Sequence, residues 1–322
     1  MLRRHKLAIA IAALTLSLST VGNAQTYPDR PIKMIVPFAA GTGADNIARI
    51  IGQQLSQSLK QPVVIENKPG ALGTIGSEMV AHAAPDGYTM LLTANTSHSA
   101  APTLIKNLRY DPIKDFQPVS RLGSLPSMLL VNPDVPIKSV KEMVAYAKAN
   151  PGKLTYGTGN STGVVTGGAL KVRAGIDFLN VPYKSTTEAI NDAIGGRVMV
   201  INTDFSIGKP QHEAGKLRAI AVTSEKRSGL MPGLPSIAEA GYPGFDVASW
   251  QGMFVPAGTP KPIVDALDRE IGKIMTNNEN VARFAKMGFE VIYHPTPEFT
   301  AFVGSELKKW TEMIKAAGLE VK

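Results

Sequence analysis

Apolar runs of strand length alternate with helical periodicity in the part of the chain that follows residue 27. Short runs rich in β-branched residues at 31–36, 62–66 and 88–92 predict buried strands. Between them, apolar residues recur at helical spacing, from Ile47 to Leu59 and again from Leu72 to Val80. Because continuous apolar strands joined by helices are typical of parallel sheets, this alternation predicts strand–helix–strand crossovers.

The same alternation starts again after residue 125. Strands are predicted at 128–131, 154–157, 178–182, 198–202 and 217–223. Capping boxes, in which a serine is followed three residues later by a glutamate, indicate helix starts at Ser139, Ser185 and Ser236. Two long amphipathic runs, 262–275 and 297–314, make the last third rich in helix. The pattern therefore predicts an α/β protein with two lobes and a helical C-terminal third.

Glycine is concentrated at two strand–helix junctions. Gly41-Thr42-Gly43 follows the first predicted strand, and a run of seven residues from Gly157 to Gly163 follows a strand of the second lobe. Each run places free backbone N–H groups and a helix N-terminus at the carboxyl end of a strand. In open α/β sheets ligands bind at that edge, and a helix N-terminus favours anions. The two loops are therefore candidate anion-binding elements.

The first 24 residues have the organisation of a secretory signal peptide. Basic residues at 3–6 precede an apolar stretch at 7–18, and Gly22 and Ala24 occupy the −3 and −1 positions of a cleavage site after Ala24. The alternative, an uncleaved anchor, is disfavoured because a membrane-spanning helix needs about 20 apolar residues. The sequence thus predicts that the protein is exported.

Net charge and the absence of cysteine exclude several kinds of functional site and partner. The 322 residues carry 34 Lys+Arg and 26 Asp+Glu, a net charge of +8, and include no cysteine. Loss of the predicted signal peptide removes three of the basic residues and leaves +5. Without cysteine there are no disulfides, thiolate metal sites or cysteine nucleophiles. Lys and Arg are dispersed and no zinc-finger or RNP1 signature occurs, so nucleic acid is not an expected partner.

Enzyme motifs are absent from the sequence. Neither glycine run completes G-x-G-x-x-G, because Asn46 and Thr162 stand at the last glycine position, and there is no P-loop, G-x-S-x-G or H-E-x-x-H. The histidines beyond the signal are scattered without metal-ligand spacing, and only His98 follows a predicted strand end. We therefore expect no cofactor, no metal and no catalytic residues.

A series of short motifs resembles one family over essentially the whole mature chain. In order they are YPDRPI (27–32), VPFAAG (36–41), ENKPGA (66–71), PDGYT (85–89), YDP (110–112), NPGKL (150–154), VPYK (181–184), GKLR (215–218), EAG (239–241), PAGTP (256–260), TPEF (296–299) and KW (309–310). The chain resembles the substrate-binding proteins of tripartite tricarboxylate transporters, the Bug or TctC-like receptors. Each motif is weak alone, but about a dozen in the same order are specific.

The resemblance implies a two-lobed periplasmic binding protein of type II, the Venus-flytrap fold. Residues 27–125 and 224–322 would form one lobe and 126–223 the other, with the ligand in the cleft between them. The ligand would be a di- or tricarboxylate or an aromatic carboxylate, delivered by a monomer to membrane permease subunits. Two alternatives stay open, a sensor that feeds a signalling partner and a periplasmic enzyme.

The resemblance also implies the ligand-binding residues, without a dedicated arginine. The candidates are Phe38, Ala39, Ala40, Gly41, Thr42, Gly43, Asp45, Asn95, Thr96, Ser97, Thr158, Gly159, Asn160, Ser161, Thr162, Gly163, Pro182, Tyr183, Asn202 and Asp204. Three roles stay open: Phe38 walls the ligand or packs in the core, Asp45 contacts ligand or caps its own helix, and Lys184 pairs with an anion or is a solvated surface residue.

The chain departs from the family pattern at two places. Thr166 stands where many members have a histidine, and Met199 and Asn202 stand where many have an aspartate and a phenylalanine. The far wall of the cleft is therefore expected to differ chemically. Asn202, Thr203 and Asp204 are expected to face the cleft, with Asp204 favouring a ligand that carries an amine or hydroxyl.

Overall fold

The computed structural model describes residues 27–319 as two β-sheets flanked by helices. The predicted signal peptide lies outside the described residues. The first sheet contains β1 (Ile32–Val36), β2 (Val63–Asn67), β3 (Thr89–Ala94), β4 (Phe116–Leu125), β10 (Ser249–Pro256) and β11 (Glu290–His294). The second sheet contains β5 (Ser127–Val131), β6 (Thr155–Thr158), β7 (Leu179–Pro182), β8 (Val200–Asp204) and β9 (Arg218–Val222).

The helices connect these strands much as the periodicity predicts. In chain order they are α1 (Gly43–Leu59), α2 (Thr74–Ala81), α3 (Ala101–Leu104), α4 (Val140–Ala149), α5 (Ser161–Ala174), α6 (Thr186–Ile194), α7 (Phe205–Glu213), α8 (Lys261–Thr276), α9 (Asn278–Lys286) and α10 (Thr296–Ala316). A 3₁₀ turn, Ala71–Gly73, precedes α2, and a π-helical turn, Thr96–Ala100, follows β3. Within residues 27–319, none of the helices combines the length and the apolar character required to cross a membrane.

Each sheet is mixed, with parallel strands where helical crossovers were predicted. The first sheet has the order β11-β4-β10-β3-β1-β2, in which β1 is parallel to both β2 and β3. The second has the order β7-β6-β8-β5-β9, in which β6 is parallel to β7 and β8. β10 and β5 are antiparallel to their neighbours. The two-lobed α/β prediction is confirmed, while the antiparallel orientation of β5 and the strand β10 were not predicted.

The antiparallel strands coincide with the places where the chain passes between the sheets. β4 ends at Leu125 and β5 begins at Ser127, so a single residue, Pro126, separates strands of different sheets. The chain returns after β9, because β10 again belongs to the first sheet. Both passages lie at the edge where β3 ends, since Gln251 near the start of β10 pairs with Ala94.

The helix-rich end of the chain belongs to both cores. Ile237, Phe245 and Val247 pack in the same hydrophobic cluster as Leu129 of the second sheet. The predicted assignment of 224–322 to the first lobe therefore needs correction for this segment, because its apolar residues are buried against the second sheet. The division of the chain into three segments otherwise stays a prediction.

Helix α10 crosses from one lobe to the other. Phe299 and Val303, in its first half, pack with Trp250 and Phe254 of the first sheet. Trp310 and Ile314, in its second half, are buried in the cluster of the second sheet. A helix of 21 residues is about 30 Å long, which is enough to reach both cores.

Candidate functional site

The predicted ligand-binding loops meet at the carboxyl ends of strands from both sheets. Asn95 Nδ2, after β3, donates to Thr162 Oγ1 in the first turn of α5 at 3.3 Å. Ser161 Oγ donates to Thr96 Oγ1 at 2.9 Å. These side-chain hydrogen bonds join the two lobes directly, so the structure brings together the loops that sequence motifs separate by more than 60 residues.

The first glycine loop is open to solvent and is ordered by its own residues. Thr42 is the N-cap of α1, where its Oγ1 accepts from the Asp45 N–H at 3.4 Å and donates to the Ala39 carbonyl at 2.8 Å. Ala39, Ala40 and Gly41 are exposed. Gly41 has a φ of 81°, in the left-handed region where a side chain is strained, which explains the glycine. The loop therefore presents backbone groups to solvent.

Phe38 and Asp45 support this loop from behind. Phe38 is half-buried and packs against the core of the first sheet, as its packing interpretation proposed. Asp45 is buried, and its Oδ2 accepts from Gly41 N at 2.8 Å and Arg49 Nε at 3.0 Å. Its Oδ1 accepts from Asn67 Nδ2 at 2.9 Å. Thr42 rather than Asp45 caps α1, so the capping interpretation is wrong, while a contact between Asp45 and a ligand stays a prediction.

The protonation of Asp45 follows from these partners. Burial alone would raise the pKa of Asp45, but hydrogen bonds from Arg49, the Gly41 N–H and Asn67 hold it below its usual value. The carboxylate is therefore ionised at neutral pH, with its charge neutralised by Arg49 on the solvent side of α1. Asp45 therefore fixes the position of Gly41 and does not offer an unpaired charge to the site.

The segment after β3 is buried and tied into both lobes. The Asn95 amide oxygen accepts from Ser249 Oγ at 2.9 Å, so this one side chain contacts both β10 and α5. Ser97 lies within hydrogen-bond distance of Thr93, at 2.6 Å between the hydroxyl oxygens, and its carbonyl accepts from Tyr110. Of the three candidates here, Asn95 and Thr96 lie at the lobe interface, while Ser97 is fixed within the first lobe.

His98, the histidine singled out by its position, is part of the first-lobe core. Its ring is fully buried, with centroids 4.2 Å from Phe254 and 4.6 Å from Phe116. Burial lowers the pKa of His98 to about 3, so the imidazole is neutral at physiological pH. This environment gives it a packing role and no route to a ligand.

The second glycine loop is held far more tightly than the first. Asn160 is the N-cap of α5, its Oδ1 accepting from Gly163 N at 2.8 Å, and its Nδ2 donates to Thr186 Oγ1 at 3.3 Å. A Cβ on Gly159 would lie 2.3 Å from the backbone nitrogen of Thr186, so only glycine fits against the start of α6. Thr158 is buried, and its hydroxyl donates to Asn180 at 3.4 Å.

The remaining candidates of the second lobe are engaged with their neighbours. Tyr183 donates from its hydroxyl to Asp192 Oδ2 at 2.9 Å, and Pro182 and Lys184 are exposed. Asp204 is the N-cap of α7 and accepts from the backbone N–H of Ser206 at 3.0 Å and from the Ser206 hydroxyl. Burial raises the pKa of Asp204 although these hydrogen bonds oppose it. Asp204 therefore caps α7, and its expected contact with a ligand amine or hydroxyl stays a prediction.

Two serines that sequence reasoning missed complete the lobe contact. A Cβ on Gly43 would lie 2.8 Å from Ser206 Oγ, so the start of α7 abuts the start of α1. Ser249 holds Asn95, as described above. Neither serine lies in a glycine loop, and the only available signal was the Asp204-Phe205-Ser206 order, which is typical of a helix start.

The arrangement is suited to an anion without supplying a cation. The N-termini of α1 and α5, helices of 17 and 14 residues, both open at this edge. None of the predicted contact residues is basic, and among the described residues no group of three His, Asp or Glu side chains is placed to hold a metal. The available groups are backbone N–H groups and neutral side chains.

Comparison with known proteins places the chain in a family. The model of the tripartite tricarboxylate transporter family receptor, TctC, matches residues 47–319. The chain belongs to the TctC family. It is 32% identical over 318 residues to Protein BugT of Bordetella pertussis, covering 98% of this chain and 97% of BugT. The family consists of periplasmic solute-binding receptors, which confirms the resemblance inferred from the motifs.

Solved structures of the TctC type confirm the fold. The chain superimposes on Rpa4515 of R. palustris with adipate at a TM-score of 0.87, with 33% identity over 91% of this chain and 98% of that one. It superimposes on MatC of Rhodopseudomonas palustris with bound malate at a TM-score of 0.81, with 32% identity over 89% of this chain and 100% of that one.

The departures from the TctC pattern lie beneath the second glycine loop. Thr166 and Asn202 are fully buried, and Thr166 Oγ1 and Asn202 Oδ1 have no hydrogen-bond partner among the described residues. Asn202 lies next to the loop, since its Cβ would be 3.7 Å from a Cβ placed on Gly163. Met199 is half-buried and packs with the second core. Two of the three positions at which a difference was expected therefore carry an unpaired polar atom, and their place in the wall of the cleft stays a prediction.

Proposed function

We propose that the protein captures a small organic carboxylate between its lobes and delivers it to the permease of a tripartite tricarboxylate transporter. The observation that carries the proposal is the convergence of two capped helix N-termini, at Thr42 and Asn160, on one edge where the lobes are hydrogen-bonded. Unpaired N–H groups at such termini carry a partial positive charge and attract anions.

The electrostatics of the loops favour a carboxylate over a cation or a nucleotide. The two carboxylates predicted for the site, Asp45 and Asp204, are engaged with Gly41, Arg49, Asn67 and Ser206. They therefore offer little to a ligand ammonium group. The loops also lack the lysine that a P-loop directs at phosphates. Neutral donors and helix N-termini suit a carboxylate, because its oxygens accept hydrogen bonds from backbone N–H groups.

Hydrogen-bond donors in both lobes suit a ligand with two acceptor ends. We propose that residues 39–43 hold one carboxylate and residues 158–163 the other, with Asn95 and Thr96 between them. Relatives of this chain support a dicarboxylate, since one structure is described with adipate and another with malate. Thr166 Oγ1 and Asn202 Oδ1 lack hydrogen-bond partners among the described residues, and Asn202 packs next to Gly163, so we propose that this end of the site governs ligand choice.

Calorimetry and thermal unfolding with a carboxylate panel test this proposal. The protein without residues 1–24 is titrated with mono-, di-, tri- and aromatic carboxylates, with the diamide of the best ligand as the matched neutral control. A ligand that binds only the folded state raises the apparent stability by RT ln(1 + [L]/Kd), so a hundredfold excess over Kd adds about 2.7 kcal/mol. No stabilisation by any acid, or equal stabilisation by the diamide, would contradict the proposal.

Delivery to a permease needs a separate experiment, because a sensor would use the same site. Co-purification of the ligand-loaded protein with the membrane subunits of the transporter supports delivery. Recovery of a histidine kinase or another signalling partner, with no permease, would favour the sensor. The ligand titration leaves this choice open, since both roles require the same affinity for the carboxylate.

A further inference from the structure

Four consecutive residues between β2 and α2 have a positive φ. They are Gly70 at 130°, Ala71 at 46°, Leu72 at 57° and Gly73 at 80°. Glycine adopts this region freely, but a residue with a Cβ is strained there. Within residues 27–319, the one further non-glycine residue in this region is Lys60, which is the C-cap of α1, a usual place for a left-handed residue. Ala71 and Leu72 do not end a helix, so their strain needs another explanation.

Hydrogen bonds within the segment hold the strained conformation. The Gly73 N–H donates to the Gly70 carbonyl at 2.9 Å, and the Thr74 hydroxyl donates to the Ala71 carbonyl at 2.9 Å. Strained residues that persist because their surroundings fix them are concentrated at functional sites. The segment 70–73 is therefore a candidate functional element, although none of its residues was predicted to bind a ligand.

The segment borders both first-lobe elements of the proposed carboxylate site. It follows β2, which is parallel to β1, so both strands end at the same edge of the sheet. A Cβ placed on Gly73 would lie 3.4 Å from Pro37 and 3.5 Å from the Cβ of Ser97. Pro37 leads into the loop at 39–43, and Ser97 follows the two residues that contact the second lobe. Leu72, the residue before Gly73, therefore lies at the border of the proposed site.

The side chain of Leu72 does not contribute to a hydrophobic core. It is half-buried, but it packs against none of the hydrophobic clusters of residues 27–319. Phe38 and Ile65, which are also half-buried in this part of the first lobe, both pack against its core. Because α2 begins only at Thr74, Leu72 also lies outside the helix whose apolar stripe it was predicted to begin. A leucine thus occupies a strained position without the usual reason for a leucine.

We propose that Leu72 is a specificity-determining residue that packs on the carbon chain of the ligand, next to the carboxylate held by residues 39–43. This inference rests on the proposed function. The loops of the site supply polar groups for the carboxylates, whereas the carbons between the carboxylates gain from an apolar surface, which Leu72 provides. A hydroxyl packed on leucine loses hydrogen bonds to water. The site therefore prefers an unsubstituted dicarboxylate to its hydroxylated analogue.

Asparagine at positions 72 and 71 separates ligand preference from backbone strain. Asparagine tolerates the left-handed region better than leucine or alanine, so Leu72→Asn and Ala71→Asn should both fold, which urea unfolding checks. Only Leu72→Asn replaces the proposed apolar contact by a polar one. Ala71 is exposed, so Ala71→Asn is the matched control for the backbone. Leu72→Met is the conservative variant, because it keeps an apolar side chain of similar volume.

Calorimetry with pairs of acids of equal charge and length measures the preference. The pairs are succinate with tartrate and adipate with galactarate, in which the second acid carries a hydroxyl on every carbon between the carboxylates. In the parent chain without residues 1–24, we expect the unsubstituted acid to bind more tightly. Leu72→Asn should reduce this preference about tenfold, whereas Ala71→Asn and Leu72→Met should keep it within about twofold.

The outcomes separate this proposal from the proposed function. If the parent chain binds a carboxylate but Leu72→Asn keeps the parent preference, the role of Leu72 is wrong and the proposed function stands. Tighter binding of the hydroxylated acids, or binding of other carboxylates but of neither succinate nor adipate, would also overturn the role of Leu72. If no acid of the carboxylate panel binds the parent chain, the proposed function itself fails.

Discussion

The two glycine loops of the site are built from similar residues but are supported in opposite ways. The loop at 39–43 is exposed, and a Cβ on Gly41 would have no neighbour within 4 Å. The loop at 158–163 is mostly buried, and Gly159 lies directly against Thr186. A loosely packed loop can adjust to a ligand end, whereas a tightly packed one selects a shape. We infer that the loop of the first lobe adapts to different ligand ends and that the loop of the second lobe selects among them.

Alanine at the two glycines provides the largest expected contrast. Gly159→Ala should lower the free energy of unfolding by about 3 kcal/mol, because the new methyl would overlap the Thr186 backbone. Gly41→Ala should cost only about 1 kcal/mol, from its positive φ alone. Urea unfolding measures both values. Equal costs would mean that the second loop moves as freely as the first, and the comparison would fail.

The dependence of unfolding free energy on acid pH tests the segment that follows β3. This segment is buried, whereas the first-lobe loop at 39–43 is exposed. The folded pKa of His98, about 3, lies below its unfolded value of 6.5, so the unfolded chain takes up the proton first on acidification. This contribution to stability is complete above pH 6.5 and is lost as pH falls toward 3. At pH 4.5 the loss of unfolding free energy relative to neutral pH is about 2–3 kcal/mol.

The matched variant for that titration is His98→Phe, which suits the aromatic surroundings. Compared with the parent chain, it should flatten the dependence of unfolding free energy on pH between 6.5 and 3. An unchanged slope would show that His98 becomes protonated without unfolding, and that the first-lobe core is less closed than its packing indicates.

A negative charge placed at each helix N-cap compares how much the two loops contribute to carboxylate affinity. Asn160→Asp keeps an acceptor for the Gly163 N–H, so stability should stay within about 0.5 kcal/mol while carboxylate affinity falls at least about tenfold. Thr42→Asp should weaken affinity less, because residues 39–41 beside it are exposed and solvent screens the added charge, whereas Asn160 is followed by buried Ser161. Calorimetry with the best ligand measures both, and Asn160→Ser and Thr42→Ser are the neutral controls. A larger loss at Thr42 would reverse the assignment of selectivity.

The smallest expected effect is at Thr166. Its hydroxyl is buried and unpaired, so Thr166→Val, which keeps the shape, should be neutral or stabilising by up to about 1 kcal/mol. Thermal unfolding without ligand measures this, and Thr162→Val, which removes the partner of Asn95, is the contrasting variant. A clear loss of stability in Thr166→Val would reveal that an ordered water satisfies the hydroxyl.

Local patterns predicted the parallel parts of this fold and the strand–helix junctions at which its glycine loops lie. Apolar strands followed by glycine and a helix specify β1 with α1 and β6 with α5, because the chemistry lies within a few neighbouring residues. The strand β5 was predicted but its antiparallel orientation was not, and β10 was not predicted at all, since a strand that leaves one sheet for another has the same apolar pattern as one that stays.

The roles of individual polar residues were harder to predict than their positions. Asp45 and Asp204 both follow strands at the expected edge, but Asn67, Arg49 and Ser206 engage their carboxylates. Asn67 is 22 residues away from Asp45 in the chain, so only the folded arrangement shows that the acid is satisfied. For the same reason Ser249, which holds Asn95 from 154 residues away, carried no signal in the sequence.

Helix α10 limits how the two lobes can move. Phe299 is buried in one core and Trp310 in the other, and their separation of eleven residues along the α-helix corresponds to about 17 Å. A hydrogen-bonded helix neither stretches nor shortens appreciably, so the cores cannot slide apart along this direction. We therefore expect the proposed release of ligand to occur by rotation of one lobe about the end of α10, with the loops on the opposite side of the molecule moving farthest.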